Sequence, residues 1–390
     1  MSGRKFLPYS RQTIGEEDIR AVVEVLRSDW LTTGPAVERF EQSLADFTGA
    51  KYAVAVSSGT AALHAALHAI RLEPGDEVIV PAMTFVATAN AVVYCGGVPI
   101  FADVRPESLL VDITSVQDRI TSKTRGIVAV DYAGQPCDYE ELLDIANRHH
   151  LFLISDASHA LGATYRGSNI GGIAHATTFS FHPVKHITTG EGGMVTTNDA
   201  NLAIRMRQFR NHGIVSDHRI RSQAGQFYYE MTELGFNYRI TDIQCALGQA
   251  QLQKLPAWIA TRQRLAASYD KQFAGTDELR PLRTLDDRTN AYHLYVVRLK
   301  TGRDEAFRLL RQRNIGTNVH YLPVYLHPFY RDRLNYRRGL CPNAETAYQE
   351  ILSLPLYPLM ESEDVEYVAS NLKALLRDGQ LVQKSADPAS

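Results

Sequence analysis

The sequence predicts an α/β protein in which a mainly parallel central sheet is covered by helices on both faces. A smaller C-terminal α+β domain is predicted to follow. From about Gly49, short apolar runs alternate with helical patterns, which is typical of parallel sheets built from strand–helix–strand units. The chain has 390 residues, and at roughly 100–200 residues per domain this length favours two domains.

A helix is predicted near the N-terminus. Thr13 followed by Glu16 fits a capping box, in which each side chain bonds to the backbone of the other residue. Apolar residues then recur along one helical face, at Ile19, Val22, Val23 and Leu26. The stretch SDWLTTGP, from Ser28 to Pro35, is interpreted as the loop that ends this segment.

The large domain is predicted as strands in alternation with helices. The predicted strands are Tyr52–Val56, Val78–Val80, Val98–Phe101, Ile127–Val130, Leu151–Ser155, Thr177–Phe181 and Met194–Thr197. The predicted helices are Thr60–Ile70, Phe85–Tyr94 and Asp138–Arg148. Ligands in such folds bind at the carboxyl ends of strands, so the motifs at these ends are the candidate functional residues.

A long helix and the small domain are predicted next. A second capping box, Thr241 with Gln244, begins the helix, and Pro256 is expected near its end. We place the domain boundary there, with a large domain over residues 1–255 and a small domain over residues 256–390. The small domain is predicted to contain a strand and two helices, at Ala291–Leu299, Asp304–Arg313 and Ser362–Arg377.

Composition and charge exclude several classes of protein. Basic residues number 41 and acidic residues 43, so the chain lacks the positive charge of a dedicated nucleic-acid binder. No apolar run approaches the ~18 residues of a membrane span, and no secretory signal is expected. The four scattered cysteines form no CxxC motif, which favours reduced thiols in a cytoplasmic enzyme and no metal site. P-loop, Rossmann and GxSxG motifs are absent.

The first motif at a strand end is Ser57-Ser58-Gly59-Thr60, which follows a strand and begins a helix. Free backbone N–H groups and the helix dipole favour a bound phosphate at such a position. The alternative is an ordinary strand-to-helix turn in which a serine or threonine caps the helix. The motif alone does not decide between these two interpretations.

Asp156 is the second candidate, because it directly follows the apolar strand Leu151–Ser155. A carboxylate at the end of a buried strand needs a partner. That partner could be the protonated ring nitrogen of a cofactor, or the N-terminus of a following helix. His159 lies three residues further on, within reach of the same ligand.

Lys185 is the third candidate, in the stretch SFHPVKH that runs from a strand towards a glycine-rich turn. Burial there would favour the neutral amine, which can form a Schiff base with a carbonyl compound. The alternative is a solvated surface lysine.

Phe85 is the fourth candidate, in TFVATAN directly after a strand. Its ring could stack on a flat cofactor, or it could belong to the apolar core. Taken together, the four motifs supply a phosphate site, a stacking aromatic ring, an acid for a pyridinium nitrogen and an amine for a Schiff base. This combination is what pyridoxal 5′-phosphate (PLP) requires.

The chain resembles the sugar aminotransferases of the DegT/DnrJ/EryC1/StrS family over nearly its whole length, from about Pro8 to Leu376. The resemblance rests on a series of motifs in a fixed order, SDWLTTGP, SSGTAALH, TFVATAN, SDASHALG, SFHPVKHITTGEGG and LGFNYRITDIQCALG. It implies the fold-type I architecture of PLP enzymes. Within the family, His159, DYAGQPCD at Asp131–Asp138 and VHYLPVY at Val319–Tyr325 are most similar to the pseudaminic acid branch.

The resemblance also implies roles for individual residues. Lys185 would hold PLP and act as the catalytic base, Asp156 would pair with the ring nitrogen, and Phe85 would stack on the ring. The phosphate would be bound by Ser58, Gly59, Thr60 and Ser180. The ring hydroxyl would be contacted by His159, and Asn237 would reach the phosphate from a neighbouring subunit. The nucleotide sugar would contact Thr33, His320 and Tyr321.

The expected reaction transfers an amino group from L-glutamate to a UDP-linked 4-keto-6-deoxy-N-acetyl-L-altrosamine type of sugar. The enzyme is expected to be a homodimer with shared active sites. Other dTDP-, GDP- or UDP-keto sugars remain alternative substrates, and a non-catalytic protein that binds nucleotide sugars is an alternative function. A related sugar 3-dehydratase would carry histidine in place of Lys185.

Overall fold

The structure is a computed structural model that describes residues 5–216, 221, 225–377 and 381. The strands of the largest sheet are β1 (Tyr52–Val56), β2 (Glu77–Pro81), β3 (Val98–Ala102), β4 (Thr124–Val130), β5 (Phe152–Asp156), β8 (Ala176–Ser180) and β9 (Gly193–Thr197). Two smaller sheets contain β6 (Thr164–Tyr165), β7 (Ser168–Asn169), β10 (Leu279–Pro281), β11 (Arg288–Thr289), β12 (Tyr295–Leu299) and β13 (Ile351–Leu354).

The described helices are α1 (Glu16–Leu26), α2 (Pro35–Thr48), α3 (Gly59–Ala69), α4 (Val86–Tyr94), α5 (Ile113–Gln117), α6 (Tyr139–Arg148), α7 (Ala200–Phe209), α8 (Asp242–Phe273), α9 (Arg303–Gln312), α10 (Pro342–Glu350) and α11 (Ser362–Arg377). None of these described helices is both long enough and apolar enough to span a membrane.

The central sheet has seven strands in the order β1-β9-β8-β5-β4-β2-β3. All its neighbouring pairs are parallel except those of β9, which is antiparallel to both β1 and β8. Helices cover both faces, so the predicted α/β architecture is confirmed. Val56 of β1 and Ser180 of β8 both align with Gly193 of β9, so the carboxyl ends of β1 and β8 lie side by side at the same end of the sheet.

Strand β1 forms one side edge of this sheet, and charged side chains occupy its outward backbone groups. The N–H of Ala55 donates to Glu41 Oε1 at 2.9 Å. Arg207 Nη2 donates to the Ala53 carbonyl at 2.9 Å, and Arg210 Nη1 donates to the Ala55 carbonyl at 2.6 Å. Both arginines also contact the buried Glu41 carboxylate, so the three side chains form one network along the strand.

A second apolar core lies around the small sheet of β10, β12 and β13. It contains Tyr269 from the second half of α8, together with Val297, Leu310 and Leu372. The first half of α8 packs instead on α1 and α2. Helix α8 therefore connects the two cores.

The predicted end of this helix near Pro256 is wrong. Helix α8 has 32 residues and continues through Pro256 to Phe273. The cost of a proline within a helix, about 3 kcal/mol, is offset here by packing on both sides, where Leu252, Leu255 and Ile259 are buried. The domain boundary between residues 255 and 256 stays a prediction, and it falls inside a continuous helix.

The two predicted capping boxes have different outcomes. Thr241 and Gln244 form the predicted reciprocal bonds at the start of α8. The pair of Thr13 and Glu16 is wrong, because α1 begins at Glu16 after Gly15, whose N–H donates to Asp18 Oδ2 at 2.8 Å. The same oxygen accepts from Lys254 at 2.6 Å, so a contact with α8 helps to set where α1 begins.

Candidate active site

A cavity of about 480 Å³ lies at the carboxyl ends of the central strands. Ten of the residues predicted to form the site line it, namely Ser58, Gly59, Thr60, Phe85, Asp156, His159, Ser180, Lys185, His320 and Tyr321. Asn237 and Thr33 do not line it. The strand order explains this convergence, since β1, β5 and β8 end at the same edge of the sheet.

The N-terminus of α3 faces this cavity. Ser58 caps the helix, and its Oγ accepts from the N–H of Ala61 at 3.1 Å. Close packing requires a glycine at position 59, because a Cβ on Gly59 would lie 2.7 Å from the Ser180 Cβ. The resulting pocket combines a helix N-terminus with the hydroxyl groups of Thr60 and Ser180, which suits a phosphate group.

Asp156 ends β5 and is buried. Its Oδ1 accepts from the N–H of Ser158 at 3.2 Å, and its Oδ2 accepts from Thr88 Oγ1 at 2.8 Å. The segment that follows forms turns and not a helix, so the alternative of a helix cap does not apply. The Asp156 carboxylate therefore lines the cavity and could accept a further hydrogen bond from a bound ligand.

Lys185 lies in the segment that follows β8, where its N–H donates to the His182 carbonyl at 2.9 Å. Burial lowers the pKa of its amine to about 8, while the nearby Asp156 carboxylate acts in the opposite direction. A lysine with this pKa has a substantial neutral fraction near pH 8, unlike a solvated surface lysine.

Phe85 is the N-cap residue of α4, and the residue is 55% exposed. Phe85 lines the cavity and is not part of the buried apolar core, which was the alternative interpretation. The ring centroid lies 6.0 Å from that of Tyr321. An aromatic ring that is open to the cavity is available to stack on a planar ligand.

His159 is buried beside this site. Its Nε2 lies 3.2 Å from the Tyr321 hydroxyl, and its ring centroid lies 4.4 Å from that of His293. Burial, and then the charge of Lys185, hold the pKa of His159 well below its usual value. The imidazole is therefore neutral, and its Nδ1 has no hydrogen-bond partner within the described part of the chain.

His320 is fixed by two hydrogen-bonding contacts. Its Nδ1 lies 2.8 Å from Ser353 Oγ, and its Nε2 lies 3.2 Å from Asn318 Nδ2. Because an amide nitrogen can only donate, Nε2 is the acceptor and Nδ1 carries the proton. Burial lowers the pKa of His320 to about 3, so this side chain orients its surroundings without changing charge.

Asn237 and Thr33 lie elsewhere. Asn237 is exposed, although the neighbouring Tyr238 carbonyl accepts from the N–H of Ser57 at 2.9 Å, so its segment packs beside the phosphate loop of its own chain. Thr33 lines a separate cavity of about 580 Å³. That cavity also contains four arginines, Arg207, Arg210, Arg221 and Arg239.

Several lining residues were missed by the sequence analysis. His293 gave no usable signal, because it lies in an apolar run next to β12. Thr84 also lines the cavity, and its four-residue spacing from Thr88 in TFVATAN could have indicated that the two hydroxyl groups lie close together. In the described ranges, no group of three or more His, Cys, Asp or Glu side chains is arranged to bind a metal ion.

The residues present fit PLP. The crowded helix N-terminus suits its phosphate, the open Phe85 ring suits its flat face, and Asp156 and Lys185 suit its ring nitrogen and carbonyl carbon. Together with the seven-stranded mixed sheet, they define the class of fold-type I PLP-dependent aminotransferases. The chain belongs to the DegT/DnrJ/EryC1/StrS aminotransferase family, whose sequence model matches residues 12–373.

Individual relatives support this assignment. The chain is 41% identical to the spore coat polysaccharide biosynthesis protein SpsC of Bacillus subtilis, over 95% of this chain and 97% of SpsC. The structure of Helicobacter pylori PseC, an aminotransferase of pseudaminic acid biosynthesis, is 34% identical with a TM-score of 0.91, over 96% of this chain and all of PseC. Streptococcus pneumoniae Spr1654 in its PLP form is 30% identical with a TM-score of 0.90, over 96% and 99% of the two chains. The protein is therefore a PLP-dependent sugar aminotransferase.

Proposed function

We propose that this enzyme transfers an amino group from L-glutamate to C4 of a UDP-linked 4-keto-6-deoxy sugar of the N-acetyl-L-altrosamine type, in a route to pseudaminic acid. The observation that carries the chemistry is the presence of the Lys185 amine and the Asp156 carboxylate in one cavity. The sugar is inferred from the similarity to PseC. Reduced thiols favour a cytoplasmic location.

The residues of this chain divide the work between binding and proton transfer. When bound, PLP supplies the electron sink that stabilises a carbanion next to the transferred nitrogen. Asp156 keeps the ring nitrogen protonated, and Phe85 holds the plane of the ring. The N-terminus of α3 and Ser180 would bind the phosphate, in the same cavity that Lys185 lines.

Lys185 is the proposed base for both halves of the reaction. In the first half its neutral amine would remove the proton from Cα of glutamate, and the resulting ammonium would deliver a proton to the cofactor carbon that carries the transferred nitrogen. In the second half the neutral amine would take a proton back from that carbon, and the ammonium would deliver it to C4 of the sugar. A single group can serve both directions when its pKa is near the working pH. A pKa of about 8 meets this condition.

Substrate identity is tested by a panel of UDP-, dTDP- and GDP-4-keto-6-deoxy sugars, each offered with L-glutamate. We expect 2-oxoglutarate and a 4-amino sugar from the UDP compound of the altrosamine type. Turnover with a dTDP- or GDP-sugar alone would contradict the proposed substrate. Alanine or glutamine in place of glutamate tests the donor in the same assay.

The proposed assembly is a homodimer in which each active site takes Asn237 from the partner. Exposed apolar side chains precede this residue in the chain, at Phe227, Tyr228, Tyr229, Met231 and Leu234. A patch of this kind indicates a protein interface, and a second copy is the commonest partner. Asn237 itself is exposed and outside the cavity of its own chain.

Subunit complementation tests the shared site. Lys185→Ala and Asn237→Asp are made separately, and each homodimer is expected to be weak. After mixing and re-equilibration, a mixed dimer with shared sites contains one site with both lesions and one intact site, so activity should return. If Asn237 acts within its own chain, every site keeps one lesion and mixing restores nothing.

A further inference from the structure

The hydroxyl groups of two buried threonines form a chain of hydrogen bonds that ends on Asp156. Thr88 Oγ1 donates to Asp156 Oδ2 at 2.8 Å, and the Thr84 and Thr88 hydroxyl oxygens lie 2.8 Å apart. Both threonines are at least 98% buried. Thr88 has one hydroxyl proton and gives it to the carboxylate, so Thr84 must be the donor to Thr88.

The direction of this chain of hydrogen bonds has a consequence for the carboxylate. Each hydroxyl polarises the next, and such chains strengthen their members in a low-dielectric interior. The other oxygen of Asp156 is held by the Ser158 N–H at 3.2 Å. The plane of the carboxylate is therefore set by one contact on each oxygen, and the Thr88 contact is the shorter.

Helix α4 couples this contact to the ring-stacking position. Phe85 is the N-cap of α4 and lines the cavity, whereas Thr88, three residues later, is fully buried against Asp156. A planar ligand on Phe85 is thus held by the same helical turn that orients the acid for its ring nitrogen.

We propose that Thr88 is a positioning residue that acts through Asp156 on the ring nitrogen of the cofactor, with Thr84 orienting the Thr88 hydroxyl. The proposal rests on the role assigned to Asp156. It assigns to this threonine pair a contribution to cofactor binding that depends on the ring nitrogen and on no other part of the cofactor.

The test compares two non-covalent ligands of the full-length protein, pyridoxamine 5′-phosphate and its 1-deaza analogue, in which CH replaces the ring nitrogen. Equilibrium dialysis gives the dissociation constant of each, and their ratio isolates the ring nitrogen. The wild type should prefer the nitrogen-containing ligand. Thr88→Val, which keeps the shape and removes the hydroxyl, should reduce this preference about tenfold, the effect of losing one hydrogen bond to an ionised group.

Three further variants keep the test decisive. Thr88→Ser retains the hydroxyl and should retain the preference, and Thr88→Ala replaces Thr88→Val if the latter does not fold. Thr196→Val is the matched control, because it removes another fully buried threonine hydroxyl, one that lies in strand β9 and donates to the Gly171 carbonyl at 2.7 Å. It should leave the preference unchanged even if stability falls.

The possible failures are distinguishable. A wild-type protein without any preference overturns the role of Asp156 and this proposal with it. A clear wild-type preference that Thr88→Val preserves overturns the proposal alone. Equal weakening of both ligands by Thr88→Val identifies a purely structural threonine and likewise overturns it.

Discussion

The close approach of Gly59 and Ser180 gives a prediction whose size can be worked from the structure. A Cβ on Gly59 would lie 2.7 Å from the Ser180 Cβ, about 0.7 Å inside the 3.4 Å at which ordinary contact begins. Ser180 ends strand β8 and Gly59 begins helix α3, so neither backbone can move away freely. Overpacking of this kind costs about 1–3 kcal/mol. We therefore expect Gly59→Ala to lower the free energy of unfolding by about 2 kcal/mol.

Urea unfolding of two pairs of variants measures this effect. Gly59→Ala is introduced once beside Ser180→Gly, which removes the opposing Cβ, and once beside Ser180→Ala, which removes only the hydroxyl. Each Ser180 single variant provides its own baseline. Most of the cost should vanish in the glycine background and persist in the alanine background. Equal costs in both backgrounds would refute the crowding argument.

Three other predictions concern charged groups. Asp156→Asn should reduce transamination by several orders of magnitude while leaving the fold intact by circular dichroism; nearly normal rates would contradict the pairing with the ring nitrogen. In cofactor-free protein the pKa of Lys185 is lowered to about 8, so its neutral, reactive amine predominates above that pH. The rate of Lys185 acylation, measured by mass spectrometry as a function of pH, should therefore reach half its maximum near pH 8. A midpoint near pH 10 would be inconsistent with burial of the amine. Asp242→Ala should lower the unfolding free energy by about 3 kcal/mol, because both oxygens accept from N–H groups of Gly34 and Ala36; a loss below 1 kcal/mol would argue against this contact.

The strands of the central sheet could be predicted closely from the sequence, because each is a short apolar run bounded by polar residues. Tyr52–Val56 was predicted without error, and the others within a few residues. The candidate site was predictable for a related reason. Its polar residues follow those runs directly, and parallel strands bring their carboxyl ends together.

What could not be predicted depends on contacts between distant parts of the chain. Helix α2 was missed because its N-terminal N–H groups are bonded to Asp242, over 200 residues away. Helix α8 passes Pro256 because packing on two separate cores outweighs a local preference. The roles of Thr88 and His293 were also missed, since nothing in a single sequence distinguishes a buried hydroxyl or imidazole that supports a site from one that fills space.

The network of Glu41, Arg207 and Arg210 along β1 has a consequence for the behaviour of the protein at high concentration. A side strand with free backbone groups can recruit a strand from another molecule and start aggregation. Here the carbonyls of Ala53 and Ala55 are already bonded to guanidinium groups, and the Ala55 N–H to a carboxylate. A strand from another molecule could pair with β1, which leads into the phosphate loop, only by displacing the charged side chains of Glu41, Arg207 and Arg210. The side chains that protect β1 from intermolecular pairing therefore also protect the strand that positions the phosphate loop.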